Sequence, residues 1–573
     1  MKNLLQFLKG YIKETILGPL FKLAEATLEL IVPLIIAAIV DIGIKNSDTG
    51  YITGMCLLLV GMGAVGLLFS VTAQYFSAKA AVGFVKDVRR SMFLKMQSLS
   101  YRDIDKIGTS TMITRMTADA QKLQNGLNLT LRLLLRSPFV VFGAMIMAFT
   151  VDFDSALSFV AVIPALSIVV FGIMFFTMPM YKKSQAGTDS LLEKARENLS
   201  GTRVIRAFCK EEDEVGEFEK RNDTLTRVQK NVSAISSLTN PLTYVLINLA
   251  IVWLIQIGAV RVESGELTQG EVIALYNYMS QILIELVKLA NLIISISRAL
   301  ASAKRISDVL NVESTDICGT RTSGIEGESA VEFRSVSLTY NGAGEESLSD
   351  ISFVAGKGQT IGIIGGTGSG KTSLVNLIPG FYTPTGGEVL IDGVPTAEYD
   401  ISYLRDRIGI VPQKAVLFKG SIRENMLWGD KTATDEQIYE ALRIAQADGV
   451  VLEKGGLDAL IEQGGTNLSG GQRQRLTIAR ALVGNPSILI LDDSASALDY
   501  ATDASLRVAL KNLDGDTTIF IVSQRASSVM HADLIIVLDD GRAVSIGTHE
   551  ELLADCDIYR EIYNSQFGGS TNG

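Results

Sequence analysis

Apolar residues run for membrane-spanning lengths six times in the first 300 positions. The runs cover 16–44, 52–80, 130–150, 157–180, 241–260 and 272–298. A bilayer crossing takes about 20 mainly apolar residues, so each run predicts a transmembrane α-helix. The last run is the least pure, and it is counted partly because an even number returns the chain to the side where it began. From Val331 the pattern changes. Apolar stretches shorten to strand length and alternate with Gly-rich turns, which predicts an α/β domain. The polar, Gly-containing stretch 313–328 reads as a linker. The expected organisation is therefore a helical six-span membrane domain at 1–312, the linker at 313–328 and an α/β domain at 329–573.

The polar segments between the runs give orientation. Between the second and third lie Lys86, Arg89, Arg90, Lys95, Arg102, Lys106, Arg115 and Lys122. Between the fourth and fifth lies a basic series from Lys182 to Lys230. The other connections hold little more than Lys45 and Arg261. Positive loops stay in the cytoplasm, which places both termini and both long loops on that side. Both loops lack Pro and are rich in helix formers. They read as spans that continue past the bilayer, reverse near Gly108–Asp119 and Thr202–Glu212, and return. Some charges fall inside spans, among them Lys22, Glu25, Glu29, Glu285 and Lys288. Charge in lipid faces a cavity or a partner. Two readings stay open: a polar lining for a substrate path, or interfacial residues plus a structural i,i+3 pair.

Composition agrees with a mixed protein. The 573 residues are 47% hydrophobic with a formal net charge of −10, and the mean hydropathy is +0.28. The acidic balance argues against nucleic acid as a partner. Cys56, Cys209, Cys318 and Cys556 are scattered without metal spacing, which gives no support for a disulfide scaffold or a zinc site.

The chemistry lies in the second half. Gly365–Thr372, in TIGIIGGTGSGKTSLVNLI, matches GxxxxGK[ST] between a β-type run and a helical one. Glycines let backbone N–H groups close on phosphate oxygens, and the following helix start adds positive potential. Lys371 would reach the β/γ-phosphates and Thr372 would ligand Mg²⁺. Ser487–Asp492 is a buried strand ending in an acid, so Asp492 is the expected carboxylate of the Mg²⁺ site. Between them Leu468, Ser469, Gly470, Gly471 and Gln472 open another helix, a second anion-binding start. One nucleotide needs one phosphate loop, so the spare suggests a γ-phosphate supplied by another molecule.

These motifs resemble the ATP-binding cassette (ABC) transporter superfamily, exporter type, over essentially the whole chain. Gly365, Gly366, Thr367, Gly368, Ser369, Gly370, Lys371 and Thr372 stand as Walker A, flanked by Ser373. Ile488–Asp492 stands as Walker B, and Leu468–Gln472 is the LSGGQ signature. Gln413 resembles the Q-loop residue, Asp499 closes a D-loop-like SALD, and Tyr340 is placed like the aromatic that stacks on adenine. The resemblance implies ATP and Mg²⁺ as cofactors, with Thr372, Gln413 and Asp492 at the metal. It also implies a dimer of two halves, each signature completing the partner's nucleotide site. The turns of the long loops would act as coupling helices, and the setting would be a prokaryotic inner membrane. The transported substrate is left open among drugs, lipids and peptides.

Two positions depart from the family. The residue after Walker B is usually Glu, and here it is Asp493. Its carboxylate is pulled back by about 1.5 Å. Misplacement of about 1 Å can cost about a hundredfold in rate. The switch His is replaced by Gln524, and the only histidines, His531 and His549, lie downstream. The expectation is a heterodimer in which this chain's own site holds ATP but turns over slowly, while Ser469 serves the partner's competent site. The alternatives are a homodimer with two slow sites, or an ATP-gated channel or regulator.

Overall fold

A computed structural model describes residues 2–314, 319–325, 329–340, 342–513 and 516–567. Part of the expected linker, 315–318 and 326–328, lies outside the described residues. The chain divides into two compact units. One comprises the chain up to Gln97 and from Ser110 to Val312, and the other comprises Ser98–Thr109 together with the chain from Glu313 onward.

In the first unit, six helices among the described residues are long and apolar enough to cross a membrane. They are Gln6–Ile44, Thr49–Gln97, Thr109–Val151, Phe153–Ser200, Glu211–Glu263 and Gln269–Leu310. Each contains one of the apolar runs and extends beyond it. The 49-residue second helix is roughly 70 Å long, more than twice the ~30 Å hydrocarbon layer. The helices approach through small residues, with Ala26, Ala37, Ala144, Ala148, Ala156, Ala250 and Ala274 buried among Leu30, Phe159, Leu166 and Leu254. Without a hydrophobic drive between helices in lipid, close contact of small side chains does that work.

Polar groups tie this core together. The guanidinium of Arg136, 6% exposed, donates to Glu285 Oε1 at 2.6 Å and to Glu29 Oε2 at 2.5 Å. Ser137 Oγ donates to Glu285 Oε2 at 2.8 Å, and Lys288 Nζ lies 2.9 Å from Glu285 Oε1. Lys22 pairs with Glu25 at 2.5 Å. The i,i+3 pair of the sequence reading, Glu285–Lys288, is present, yet Glu285 is also held by Arg136, 149 residues away. A buried carboxylate beside a buried guanidinium compensates the desolvation of both.

The first cytoplasmic reversal differs from expectation. Ser100 caps the short helix Tyr101–Ile107 by accepting from Asp103 N, and Gly108 ends it at φ 81°. Residues 109–119 are already helical on the return path. Gly108 therefore closes the turn where the sequence reading had it open one. The Ser98–Thr109 segment also groups with the second unit, although it was expected within an unbroken membrane domain. The second reversal is the short helix Thr202–Ala207, inside the expected Thr202–Glu212. The helix after it begins with four acids, Glu211–Glu214, which suit its N-terminal dipole.

The second unit holds two main sheets. One is antiparallel, in the order Leu348–Ala355, Val331–Leu338, Gly386–Ile391, Val394–Pro395. The other runs Arg542–Gly547, Leu534–Asp539, Thr360–Gly365, Thr518–Ser523, Ile488–Asp492, Ile408–Val411, parallel except for the first strand. One core joins both sheets through Phe333, Phe353, Ile361, Ile363 and Phe520. A second core gathers the helices around Gly470–Val483. Residues 319–325 lie along the first sheet's loops, with Arg321 N donating to Glu398 O and Ile325 N to Asp392 O. Linker composition here encodes an attached segment.

Candidate functional site

Three neighbouring parallel strands deliver the site. Ile364 pairs with Ser523, and Val522 with Asp492. The loops that follow these strands carry the phosphate-loop sequence, Gln524 and Asp493. Ligands in open α/β sheets bind at such carboxyl ends of strands. Here the loops enclose a cavity of about 750 Å³.

The phosphate loop needs its glycines. Gly368 and Gly370 sit at φ +86° and +94°, which L side chains rarely adopt, and a Cβ at Gly365 would lie 2.1 Å from Leu538 O. Thr367, Gly368, Gly370, Lys371, Thr372 and Ser373 line the cavity. Gly365, Gly366 and Ser369 stand behind them, where the Lys371 ammonium donates to Gly365 O at 3.0 Å, Gly366 O at 2.5 Å and Ser369 Oγ at 3.3 Å. Burial lowers the Lys371 pKa against the opposing charges of Asp493 and Asp492.

Asp492, 5% exposed, accepts from Thr372 Oγ1 at 3.0 Å and 3.1 Å. Burial pushes its carboxyl above the usual range, opposed by the Thr372 hydrogen bond. A hydroxyl and a carboxylate this close form an all-oxygen donor set of the kind Mg²⁺ takes. A cavity edged by backbone glycines and one buried ammonium suits a triphosphate. When bound, the metal would neutralise developing phosphate charge. Gln413 lines the cavity too, but the structure pairs it with Asp493 Oδ2 at 3.3 Å.

Asp493 and Gln524 both reach the cavity. Asp493 sits at φ 47°, in left-handed space. Its backbone is fixed by Asp493 N donating to Val522 O at 3.0 Å and by Ser496 Oγ donating to Asp493 O at 2.8 Å. A non-glycine residue there costs on the order of 1 kcal/mol and is held by its surroundings. Gln524 is exposed.

Other expected residues lie elsewhere. Tyr340 lines a separate cavity of about 710 Å³ with Thr339, Tyr382 and Thr383. Its hydroxyl donates to Ser373 Oγ at 3.0 Å, and its ring meets Tyr382 edge-on at 5.1 Å. Leu468 packs into the helical core. Ser469 and Gln472 form a capping box at the start of Gly470–Val483, and neither they nor Gly470 and Gly471 line this chain's cavity. Asp499 was expected at the nucleotide. In this chain its two carboxylate oxygens accept from Thr502 N at 2.8 Å and Thr502 Oγ1 at 2.9 Å, capping Tyr500–Lys511. Those hydrogen bonds, from Thr502 first, lower its pKa.

The sequence reading missed Ala343–Ser347 and Asp540–Gly541, which complete the lining. The first is an irregular loop without a motif. The second had a signal: Asp-Gly between two short apolar runs is a hairpin turn, beside the strand that carries the phosphate loop.

Comparison with known proteins agrees with this geometry. Residues 15–286 match the family described as ABC transporter transmembrane region, and residues 348–496 match the ABC transporter family. An uncharacterized ABC transporter ATP-binding protein of Mycobacterium tuberculosis is 36% identical, covering 99% of this chain and 98% of its own. A probable multidrug resistance ABC transporter ATP-binding/permease protein of Bacillus subtilis is 31% identical over 99% and 97%. The fold matches an ATP-bound bacterial Atm1-family ABC exporter with a TM-score of 0.81 at 22% identity, covering 99% of each chain. The chain belongs to the ABC transporter superfamily as an exporter-type half-transporter, a multi-pass protein of the bacterial inner membrane whose ATPase is coupled to transport.

Proposed function

We propose that this half-transporter is the ATP-holding half of a heterodimer that exports a small amphipathic or peptide-like substrate by alternating access. The supporting observation is the asymmetry inside one cavity. The groups for phosphate and metal, Lys371, Thr372 and Asp492, are assembled. At the positions that would orient water and contact the γ-phosphate stand Asp493, one methylene short, and Gln524, an amide that cannot carry an imidazole's proton. Ser469 lies outside this cavity with its signature intact, as a residue serving the partner's site would. ATP shared between the two cassettes draws them together, and slow turnover here holds them partly closed between cycles. The binding difference between the open and closed states supplies that bias.

The substrate class draws on the relatives' names. Besides the Bacillus subtilis protein above, an ATP-dependent lipid A-core flippase of Hahella chejuensis is 30% identical over 89% of this chain. Amphipathic cargo is common to such activities.

Purification of the full-length chain alone tests the pairing. A stable homodimer with robust ATPase activity, abolished by Asp493→Asn, would overturn the heterodimer. That result would favour a homodimer with two active sites that use Asp493, a reading supported by Asp493 lining the cavity beside Gln413.

A further inference from the structure

We propose that Gln566, in the C-terminal helix, is a positioning residue that fixes the turn carrying Gln524 and so sets how long ATP stays, and how fast it is cleaved, at this chain's own site. The assignment rests on the reading of the cavity as the nucleotide site.

The turn Gln524–Arg525 leaves the strand Thr518–Ser523 and enters the short helix Ala526–Val529. The Gln566 side-chain amide spans it. Its Nε2 donates to Gln524 O at 2.8 Å, and its Oε1 accepts from Ala526 N at 2.8 Å. The amide therefore pairs with the main chain as a neighbouring strand would, on both sides of Arg525, the residue that follows Gln524. One pair fixes both position and direction, which a single hydrogen bond does not.

Both ends of this clamp are anchored. Helix Asp557–Phe567 is held by Tyr559, fully buried in a cluster with Ala526, Val529 and Ile535, with Ile562 and Tyr563 packed against it. The far side of the turn is tied to helix Tyr500–Lys511. Arg507 donates to Ser527 O and pairs with Asp503 at 3.1 Å, and the Arg525 guanidinium lies 5.5 Å from the centre of the Tyr500 ring. Gln566 itself is exposed. Its removal would loosen the turn without emptying a core.

The test follows nucleotide on this chain in the full-length assembled transporter, with photoreactive azido-ATP labelled on the α- or the γ-phosphate. Gln566→Met keeps the length and loses both hydrogen bonds. Gln566→Glu keeps the acceptor and sets a carboxylate against Gln524 O. Each is expected to shorten ATP residence, read from the α-label, three- to tenfold and to lower the share of bound ATP that loses its γ-label before the α-label leaves, with Tm little changed. In a Gln524→Ala background the Gln566 effect should vanish, because contacts acting through one residue are not additive. Unchanged residence in both variants, or the same loss in the Gln524→Ala background, would overturn the assignment. Labelling of this chain that survives Lys371→Ala would instead overturn the site reading itself, and the assignment with it.

Discussion

Strands Thr360–Gly365 and Thr518–Ser523 lie side by side in the parallel sheet, and each runs into a loop that reaches the same cavity. The first loop holds its charge by main-chain geometry: two glycines at positive φ, and an ammonium gripped by three of the loop's own oxygens. The second presents Gln524, and the adjoining strand end presents Asp493. One wall carries the groups for binding, and under the proposed function the groups for cleavage on the other are changed. On that proposal binding and hydrolysis rest on separable parts of one site, and each part can be altered alone.

The sharpest way to break this contrast is to damage the two anion-binding helix starts separately. Ser469→Arg places a bulky cation where a capping box now opens Gly470–Val483. In the assembled transporter it should lower ATPase activity by at least about a hundredfold, a loss of the order reported for removing one preorganised donor. Lys371→Ala should leave a substantial part of the activity. Steady-state ATPase of both variants decides it, and equal losses would mean that the two sites share the work.

Repairing the altered wall gives a smaller effect of opposite sign. Asp493→Glu restores the reach of the carboxylate, and Gln524→His restores an imidazole. Together they should speed γ-phosphate loss on this chain by about 10- to 100-fold, in line with the cost of a 1 Å misplacement. Single-turnover hydrolysis on this chain checks it. No gain would place the defect outside these two residues.

The two walls also differed in how far they could be read beforehand. The phosphate loop is legible because its chemistry demands particular residues in one contiguous run. Asp492 is legible because a buried strand must end where its acid emerges. Asp493 and Gln524 were visible only as departures from a family pattern, and their position in the cavity needed the pairing of strands far apart in sequence. Gln566 carried no local signal at all, since its partners lie 42 and 40 residues away. Arg136 was hidden for the same reason, because its two carboxylates come from helices that only the fold brings near. Asp499 was read from a motif, and the sequence did not show that each of its oxygens also accepts a hydrogen bond at a helix start.

The smallest predicted effect concerns Asp492 on the intact wall. Its carboxyl is raised chiefly by burial, so the folded protein binds this proton more readily than the unfolded chain. The stability from that proton is fully present below the ordinary value of 3.8 and is lost as pH rises through the raised one. Above that raised value the nucleotide-free protein carries a buried charge at a net cost. Asp492→Asn removes the charge and keeps an acceptor for Thr372. It should stabilise the nucleotide-free protein at pH 7.5, read as a higher midpoint of the cassette transition. The gap should close as the pH falls into the carboxylate range, where the wild-type acid is neutral as well. MgATP should reverse the order, because only the wild type has the carboxylate that the metal requires, and a ligand at 100 times its Kd adds about 2.7 kcal/mol. Thermal unfolding at two pH values, with and without MgATP, reads all three terms. If the Asn variant were less stable at neutral pH without nucleotide, Asp492 would be a structural anchor of the strand end, and the binding wall would rest on Lys371 and the loop glycines alone.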